Sequence, residues 1–223
     1  MKEEVAQLKT EMQDIVISSK ASMDFYEGKL GERDVVIVQS GIGKVNAGIC
    51  TQILVDLFAV DLVINTGIAG SLRPEINICD VVVSTDALQH DVDATEFGYE
   101  LGQVPQLDTL SFKADKRLAN QAIESCREVN PDINVFAGRV VSGDQFISDS
   151  ATKQKIIANF DGYCTEMEGA AIAQAAHLNN LPFVIIRAIS DKADDSAQMD
   201  YPTFEKKAIA NSVKLVKDMV AKI

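Results

Sequence analysis

The stretch that decides the fold runs from residue 166 to residue 191 and reads EMEGAAIAQAAHLNNLPFVIIRAISD. Its second half contains an apolar, β-branched run, Phe183–Ile189, which has the composition of a buried strand. Small residues at positions 169–173 predict a closely packed helix after a strand-to-helix junction at Glu166. This alternation of strand and helix is typical of an α/β fold.

Similar apolar runs recur upstream. They are Val35–Val38, Leu62–Ile64, Val81–Val83 and Val135–Val141. Helical stretches lie between most of them, and two show a clear apolar stripe at steps of three and four. These stripes are Leu118, Ala122, Cys126 and Val129, and Ile209, Val213, Val216 and Val220. The pattern predicts a mostly parallel sheet with helices on both faces, a three-layer arrangement, in one domain spanning residues 1–223.

Composition excludes several classes of function. The chain has 223 residues, 47% of them hydrophobic, and a formal net charge of −12. So acidic a chain is a poor partner for nucleic acid, which requires a clustered basic surface. Four cysteines without a C-x-x-C pair and two histidines make a metal site and structural disulfides poor hypotheses. Without a signal peptide or a long apolar span, we expect a cytoplasmic protein that does not enter membranes.

Polar residues follow each apolar run, at the edge where open parallel sheets bind ligands. The groups are Ser40–Gly43, Asn65–Gly70, Ser142–Asp144, Glu166–Glu168 and Arg187–Asp191. The sequence therefore predicts a site built from several loops at one edge of the sheet. The segment from Asp86 to Lys113 is the longest without a clear periodicity, and loops of that length are often functional.

Each of these groups also has a purely structural interpretation. Gly41 and Gly43 fit a tight turn as well as a ligand loop, since Walker A is absent and Asn46 stands where a dinucleotide motif needs glycine. The small residues from Thr66 to Gly70 fit close helix packing as well as backbone contact with a ligand. Glu166 and Glu168 could complement a helix dipole or hold ribose hydroxyls.

Charged residues on the last strand leave two alternatives open. Arg187 and Asp191 could pair with each other, because buried charges normally pair. Alternatively, an aspartate that carries a proton there is a candidate general acid. Of the two histidines, we interpret His177 as structural and leave His90 open.

Seven segments taken together resemble the bacterial 5′-methylthioadenosine/S-adenosylhomocysteine nucleosidases, members of the nucleoside phosphorylase superfamily. They are residues 1–5, 40–44, 65–70, 97–99, 141–147, 166–168 and 187–191. Their order and spacing match the family over nearly the whole chain. The resemblance implies a central mixed sheet flanked by helices, a homodimer, an adenine thionucleoside as substrate, and neither cofactor nor metal.

The resemblance also implies roles for individual residues. Asp191 would protonate adenine N7, and Glu4 would activate the attacking water. Glu168 would hold the ribose hydroxyls. The implied substrate-binding set is Ile42, Ala69, Gly70, Phe146, Ile147, Glu166, Met167, Glu168, Arg187, Ser190 and Tyr201. Phe97 and Pro105 match residues that a partner subunit lends to the pocket wall.

Two departures from the family pattern concern the water-activating side. The family places a short hydrophobic strand before Met-x-x-Glu-Val, whereas this sequence starts at that Met, so we expect the true start to lie upstream. Ile68 stands where relatives commonly carry serine, which removes one hydroxyl near the water or the ribose.

Two rival functions share these motifs. A purine nucleoside phosphorylase would use phosphate as nucleophile, but a dianion calls for several matched donors, and Arg187 is the arginine among the site loops. A non-catalytic adenosine-binding protein would not need both Glu4 and Asp191. Hydrolysis is the interpretation that the sequence favours.

Overall fold

The computed structural model describes residues 2–223, except the side chains of residues 198–203 within the last helix. The chain opens with helix α1 (Lys2–Lys9), which is followed by an antiparallel meander of three strands. The sequence analysis predicted only the last strand of this meander. The meander consists of β1 (Met12–Lys20), β2 (Met23–Leu30) and β3 (Arg33–Val38), paired in that order. Eight of the nine residues of β1 are exposed, including its short apolar run Ile15–Ile17.

The main sheet contains six strands in the order β6-β5-β7-β8-β4-β9. Their bounds are β4 (Val63–Ser71), β5 (Val81–Gln89), β6 (Phe112–Lys113), β7 (Val135–Ser142), β8 (Cys164–Glu166) and β9 (Phe183–Asp191). β4 pairs with β9 in parallel, and β7 pairs in parallel with both β5 and β8. The remaining pairs are antiparallel, so the sheet is mixed.

The second and last strands of this order, β5 and β9, also meet, because Val81–Val83 pairs with residues 186–188 of β9. Strands β5, β7, β8, β4 and β9 thus close into a barrel-like ring, instead of forming the open middle layer of the predicted three-layer arrangement. All nine residues of β9 are buried, as expected for a strand paired on both edges. Closure depends on sheet twist and strand stagger, which local periodicity does not encode.

Helices cover the ring. They are α2 (Lys44–Phe58), α3 (Lys116–Val129), α4 (Ser150–Phe160), α5 (Gly169–Leu178) and α6 (Ala197–Lys222). α5 packs against α2, whereas α6 packs against β9, β4, α3 and α1. Both predicted stripes face the interior, with Leu118 and Ile209 among the fully buried side chains. None of the helices in the described part of the chain has the length and apolar character that crossing a membrane requires.

Strands β4 and β5 are longer than predicted and include polar residues that were expected to follow them. β4 continues through Asn65–Gly70, and β5 continues to Gln89, so the irregular segment is shorter than the sequence suggested. That segment contains a 3-10 turn at Thr95–Phe97 and ends at β6. The candidate site residues therefore stand on rigid strands, which fixes their spacing.

Candidate active site

Two strand pairings bring the predicted groups together at one end of the ring. Ser142 of β7 is paired with Glu166 of β8, and β4 aligns Gly67 with Arg187 and Gly70 with Asp191. Residues that are far apart in sequence become neighbours because the pairing is long-range. The result is one polar cluster at the ends of β4, β7, β8 and β9.

Glu166 is buried, and both of its carboxylate oxygens accept hydrogen bonds from other groups of the protein. Oε2 accepts hydrogen bonds from the Gly169 amide at 2.8 Å and from Arg187 Nη2 at 2.5 Å. The Ser142 hydroxyl donates to Oε1. Burial works to raise the Glu166 pKa, but the Arg187 charge and these hydrogen bonds outweigh it and hold the pKa below its usual value. Glu166 is thus an ionised anchor for its neighbours.

Arg187 is 2% exposed and pairs with Glu166, a partner that the sequence analysis did not name. Its Nη2 also donates to Asn65 Oδ1 at 2.5 Å. A Cβ on Gly67 would lie 3.0 Å from Nη1, so the glycine makes room for the guanidinium. The carboxylate and the amide fix the guanidinium in one orientation. Burial works to lower the Arg187 pKa, but the charges of Glu166 and Glu168 outweigh it and raise the pKa above its usual value.

Glu168 differs from Glu166 in having fewer protein donors. Its Oε1 accepts a hydrogen bond from the Gly43 amide at 2.9 Å. Burial and the nearby Glu166 charge raise the Glu168 pKa. Met167, between the two carboxylates, is half-buried. Glu168 is therefore the carboxylate of this pair with capacity left for a ligand's hydroxyl groups.

Asp191 ends β9 and is 2% exposed. Its Oδ1 accepts a hydrogen bond from the Ala193 amide at 2.8 Å, and its Oδ2 accepts one from the Ser190 hydroxyl at 2.9 Å. A Cβ on Gly70 would lie 2.7 Å from Oδ1, so only glycine leaves space for the carboxyl group. Both carboxyl oxygens are thereby held in place. Ala69 is buried beside this group, and its carbonyl oxygen lies 3.5 Å from the Ser190 hydroxyl.

Glu4 lies in helix α1 and is 1% exposed. The Thr66 hydroxyl donates to its Oε1 at 3.1 Å and also contacts Ser212 of α6. Thr66 and Gly67 point to opposite faces of β4, so Glu4 approaches from the α6 side whereas Arg187 lies on the other side. A cavity of about 920 Å³ bounded by β3, β4, α1, α2 and α6 is lined by both Glu4 and Asn65. Asn65 also contacts Arg187, whereas the residues that line the cavity include none of Arg187, Glu166, Glu168 and Asp191.

The predicted apolar contacts form an exposed rim. Ile42 is 73% exposed, Phe97 84% and Phe146 50%, and Pro105 is also exposed. Ile147 is buried instead, in an apolar cluster that includes Ala193. Tyr201 lies outside the residues whose side chains the structure describes.

Sequence reasoning missed the roles of several polar residues. Ser142 and Asn65 were recognised only as polar positions at strand ends, yet they orient Glu166 and Arg187. The available signal was the clustering of hydrogen-bonding side chains where buried strands end. The His90 amide donates to the carbonyl oxygen of Ser142, next to the cluster, and the four cysteines are buried thiols. Among the described residues, no group of three His, Cys, Asp or Glu could hold a metal ion.

Comparisons with known proteins agree with this geometry. The sequence profile of the phosphorylase superfamily matches residues 1–221. A 5′-methylthioadenosine/S-adenosylhomocysteine nucleosidase from an Exiguobacterium species is 46% identical, covering 97% of this chain and 92% of the relative.

Solved structures show the same relationship. The Neisseria meningitidis nucleosidase of that name, in complex with methylthio-immucillin-A, superposes with a TM-score of 0.96 at 42% identity, covering 100% of this chain and 96% of the other. The Colwellia psychrerythraea nucleosidase, in complex with adenine, gives 0.95 at 40% identity, with 100% and 92% coverage. This chain therefore has the α/β fold of the nucleoside phosphorylases, and it belongs to the phosphorylase superfamily, among the methylthioadenosine/S-adenosylhomocysteine nucleosidases.

Proposed function

We propose that this chain is a hydrolase that cleaves the N-glycosidic bond of 5′-methylthioadenosine and S-adenosylhomocysteine. The products are adenine and the corresponding thioribose, so the enzyme would serve methionine salvage and the methyl cycle in the cytoplasm. One observation carries the proposal: acidic groups meet three positions along β4, with Glu4 bonded to Thr66, the Glu166–Arg187 pair at Gly67, and Asp191 at Gly70. From Thr66 to Gly70 the strand rises by about 13 Å, a length comparable with that of a purine nucleoside.

Asp191 acts on the leaving group. A protonated carboxyl donates its hydrogen to adenine N7 as the bond between C1′ and N9 breaks, and the bonding electrons leave with the base. The Ser190 hydroxyl and the Ala193 amide fix the orientation of the carboxyl group. General acids placed in this way typically contribute about 10²- to 10⁴-fold to a rate.

Glu168 and Arg187 act on the sugar. The Glu168 carboxylate accepts hydrogen bonds from the ribose hydroxyls and faces the positive charge that develops at C1′. Arg187 and Glu166 hold this region rigid, with Met167 beneath the sugar. Ala69 and Gly70 border the base side, and Phe146 and the Ile147 backbone contact adenine.

Glu4 acts on the nucleophile. It accepts a proton from water as the water oxygen bonds to C1′, which completes hydrolysis without a cofactor. The Thr66 hydroxyl orients Glu4. Phosphate is a poor alternative nucleophile here, because Glu166 already neutralises the buried guanidinium of Arg187.

The exposed rim supports a homodimer. Ile42, Phe97 and Pro105 are exposed, and Val45 and Ile49 expose apolar surface on one side of α2. Exposed apolar surface of this kind marks interaction sites. A second copy would cover the 5′-thio substituent with its Phe97 and Pro105.

Release of free adenine tests the proposal. Purified protein is incubated with 5′-methylthioadenosine in phosphate-free buffer, and adenine is followed by chromatography. We expect complete conversion, with a rate that added phosphate does not increase. Adenine that appears only with phosphate, together with ribosyl phosphate, would establish the phosphorylase alternative. Binding of the nucleoside without any turnover would establish the non-catalytic alternative.

A further inference from the structure

A ring of hydrogen bonds joins the start of α2 to the loops after β5 and β7. It lies beside Glu166, Glu168 and Arg187, which are called the ribose cluster below. Lys44 Nζ donates to Asp91 Oδ1 at 2.5 Å, and Asp91 Oδ2 accepts from the Asp144 amide at 2.9 Å. Asp144 Oδ1 then accepts from the Lys44 amide at 2.8 Å, which closes the ring. Lys44 Nζ also donates to Gln89 Oε1 at 3.0 Å. The ring therefore fixes the start of α2 relative to the loops after β5 and β7.

The ring lies near the surface and is partly covered. Asp91 and Asp144 are exposed residues, but the side chains of Lys44 and Asp91 are each only 18% exposed. Burial works to raise the Asp91 pKa, but the hydrogen bonds from Lys44 and from the Asp144 amide outweigh it and lower the pKa.

The residues next to the ring contact both glutamates of the ribose cluster. The Gly43 amide, adjacent to Lys44, donates to Glu168 Oε1. Ser142, two residues before Asp144, donates to Glu166. Gly43 provides no side chain to cap α2, so Asp144 from the β7 loop accepts the hydrogen bond of a helix N-terminal amide instead. A displacement of α2 would therefore move the amide that holds Glu168.

We infer that Lys44 is a positioning residue for Glu168: through Asp91 and Asp144 it locks the Gly43 amide in the place that orients the ribose-binding carboxylate. This inference rests on the proposed function, since it assigns Lys44 to the same site. Lys44 itself touches no reacting atom. Its contribution is to keep Glu168 in one orientation before the substrate arrives, which reduces the cost of binding and reaction.

The test compares Lys44→Met with the wild-type chain by steady-state adenine release. We expect kcat/KM to fall about 10- to 100-fold, the scale of a small misplacement at a reacting centre. Lys222→Met is the matched control, because Lys222 also bridges two carboxylates, Glu128 and Asp218, but lies at the end of α6. We expect that variant to retain wild-type kinetics.

The decisive readout is a double-mutant cycle with Glu168→Gln. If Lys44 acts through Glu168, Lys44→Met in that background will change kcat/KM by less than about threefold. An equal loss in both backgrounds would overturn the inference, even if Lys44→Met lowers the melting temperature. If Lys44→Met does not fold, Asp91→Asn takes its place, since it keeps the size of the side chain and removes the charge. A wild-type chain that releases no adenine would contradict the proposed function instead.

Discussion

The interior of the candidate site and its rim are built in opposite ways. Around Arg187 every contact is internal, with Glu166 and Asn65 binding a guanidinium that is 2% exposed. At the rim, Phe97 is 84% exposed and Phe146 is 50% exposed. The interior groups are thus held in place within one chain, whereas the rim is open to a partner. On the proposed function, the interior would bind the ribose and the leaving group, and a second copy would supply the surface that covers the substrate.

The largest expected effect is a loss of stability on breaking the buried ion pair between Glu166 and Arg187. Glu166→Gln leaves the buried guanidinium of Arg187 without its anionic partner, which should lower the free energy of unfolding by about 3–5 kcal/mol. For a chain of this length, that corresponds to a fall in melting temperature of roughly 6–20 °C. Thermal and urea unfolding measure it. Glu168→Gln is the matched control, and an equal loss in both variants would refute the assignment of Glu166 as the anchor.

The rim should respond in a different way. Phe97→Ala removes an exposed ring, so we expect no loss of melting temperature but an increase in KM of about tenfold, equivalent to ~1.4 kcal/mol. Val16→Ala is the control, because Val16 is 60% exposed on the distant β1 strand. Mixing Phe97→Ala chains with inactive Asp191→Asn chains should restore the normal KM in hybrid dimers. An unrestored KM in verified hybrids would show that Phe97 does not act across an interface.

The smallest expected effect is a pH dependence of stability that distinguishes Glu168 from Glu166. Burial beside Glu166 raises the Glu168 pKa, so the carboxyl group stabilises the fold while it is protonated, and that stabilisation is lost as pH rises from about 4.5 through the raised value. Glu168→Gln removes this loss. We therefore expect the variant to gain stability relative to the wild type as pH increases, measured by urea unfolding between pH 4 and 8. A constant difference across that range would contradict the raised pKa.

The sequence predicted the fold wherever local patterns decide it. The stripes that contain Leu118 and Ile209 are buried as expected, and the run Phe183–Ile189 forms the most buried strand. Closure of the sheet was not predictable, because the pairing of Val81–Val83 with β9 depends on twist and register over a hundred residues of chain. Strands β1 and β2 were missed: the apolar run of β1, Ile15–Ile17, is short and exposed, and the buried residues of β2 do not form a continuous run.

The candidate site divides in the same way, into features that local sequence patterns predict and features that depend on long-range strand pairing. Motifs identified the strand ends, but partners such as Asn65 for Arg187 arise from the parallel pairing of β4 and β9. The separation of roles between Glu166 and Glu168 follows from burial and donor count, which composition does not reveal. Glu4 lies in α1, a helix that the sequence analysis did not predict; Glu3 and Glu4 in its first turn complement the helix dipole.

One measurement tests the central claim that Asp191 serves the leaving group alone. Asp191→Asn and Glu4→Gln are each compared with the wild type on 5′-methylthioadenosine and on a 5′-methylthio riboside whose nitrophenolate leaving group needs no protonation. We expect Asp191→Asn to lose about 10²- to 10⁴-fold in kcat/KM on the nucleoside but less than about tenfold on the nitrophenyl riboside. Glu4→Gln should lose activity on both. Equal losses of Asp191→Asn on the two substrates would contradict the account.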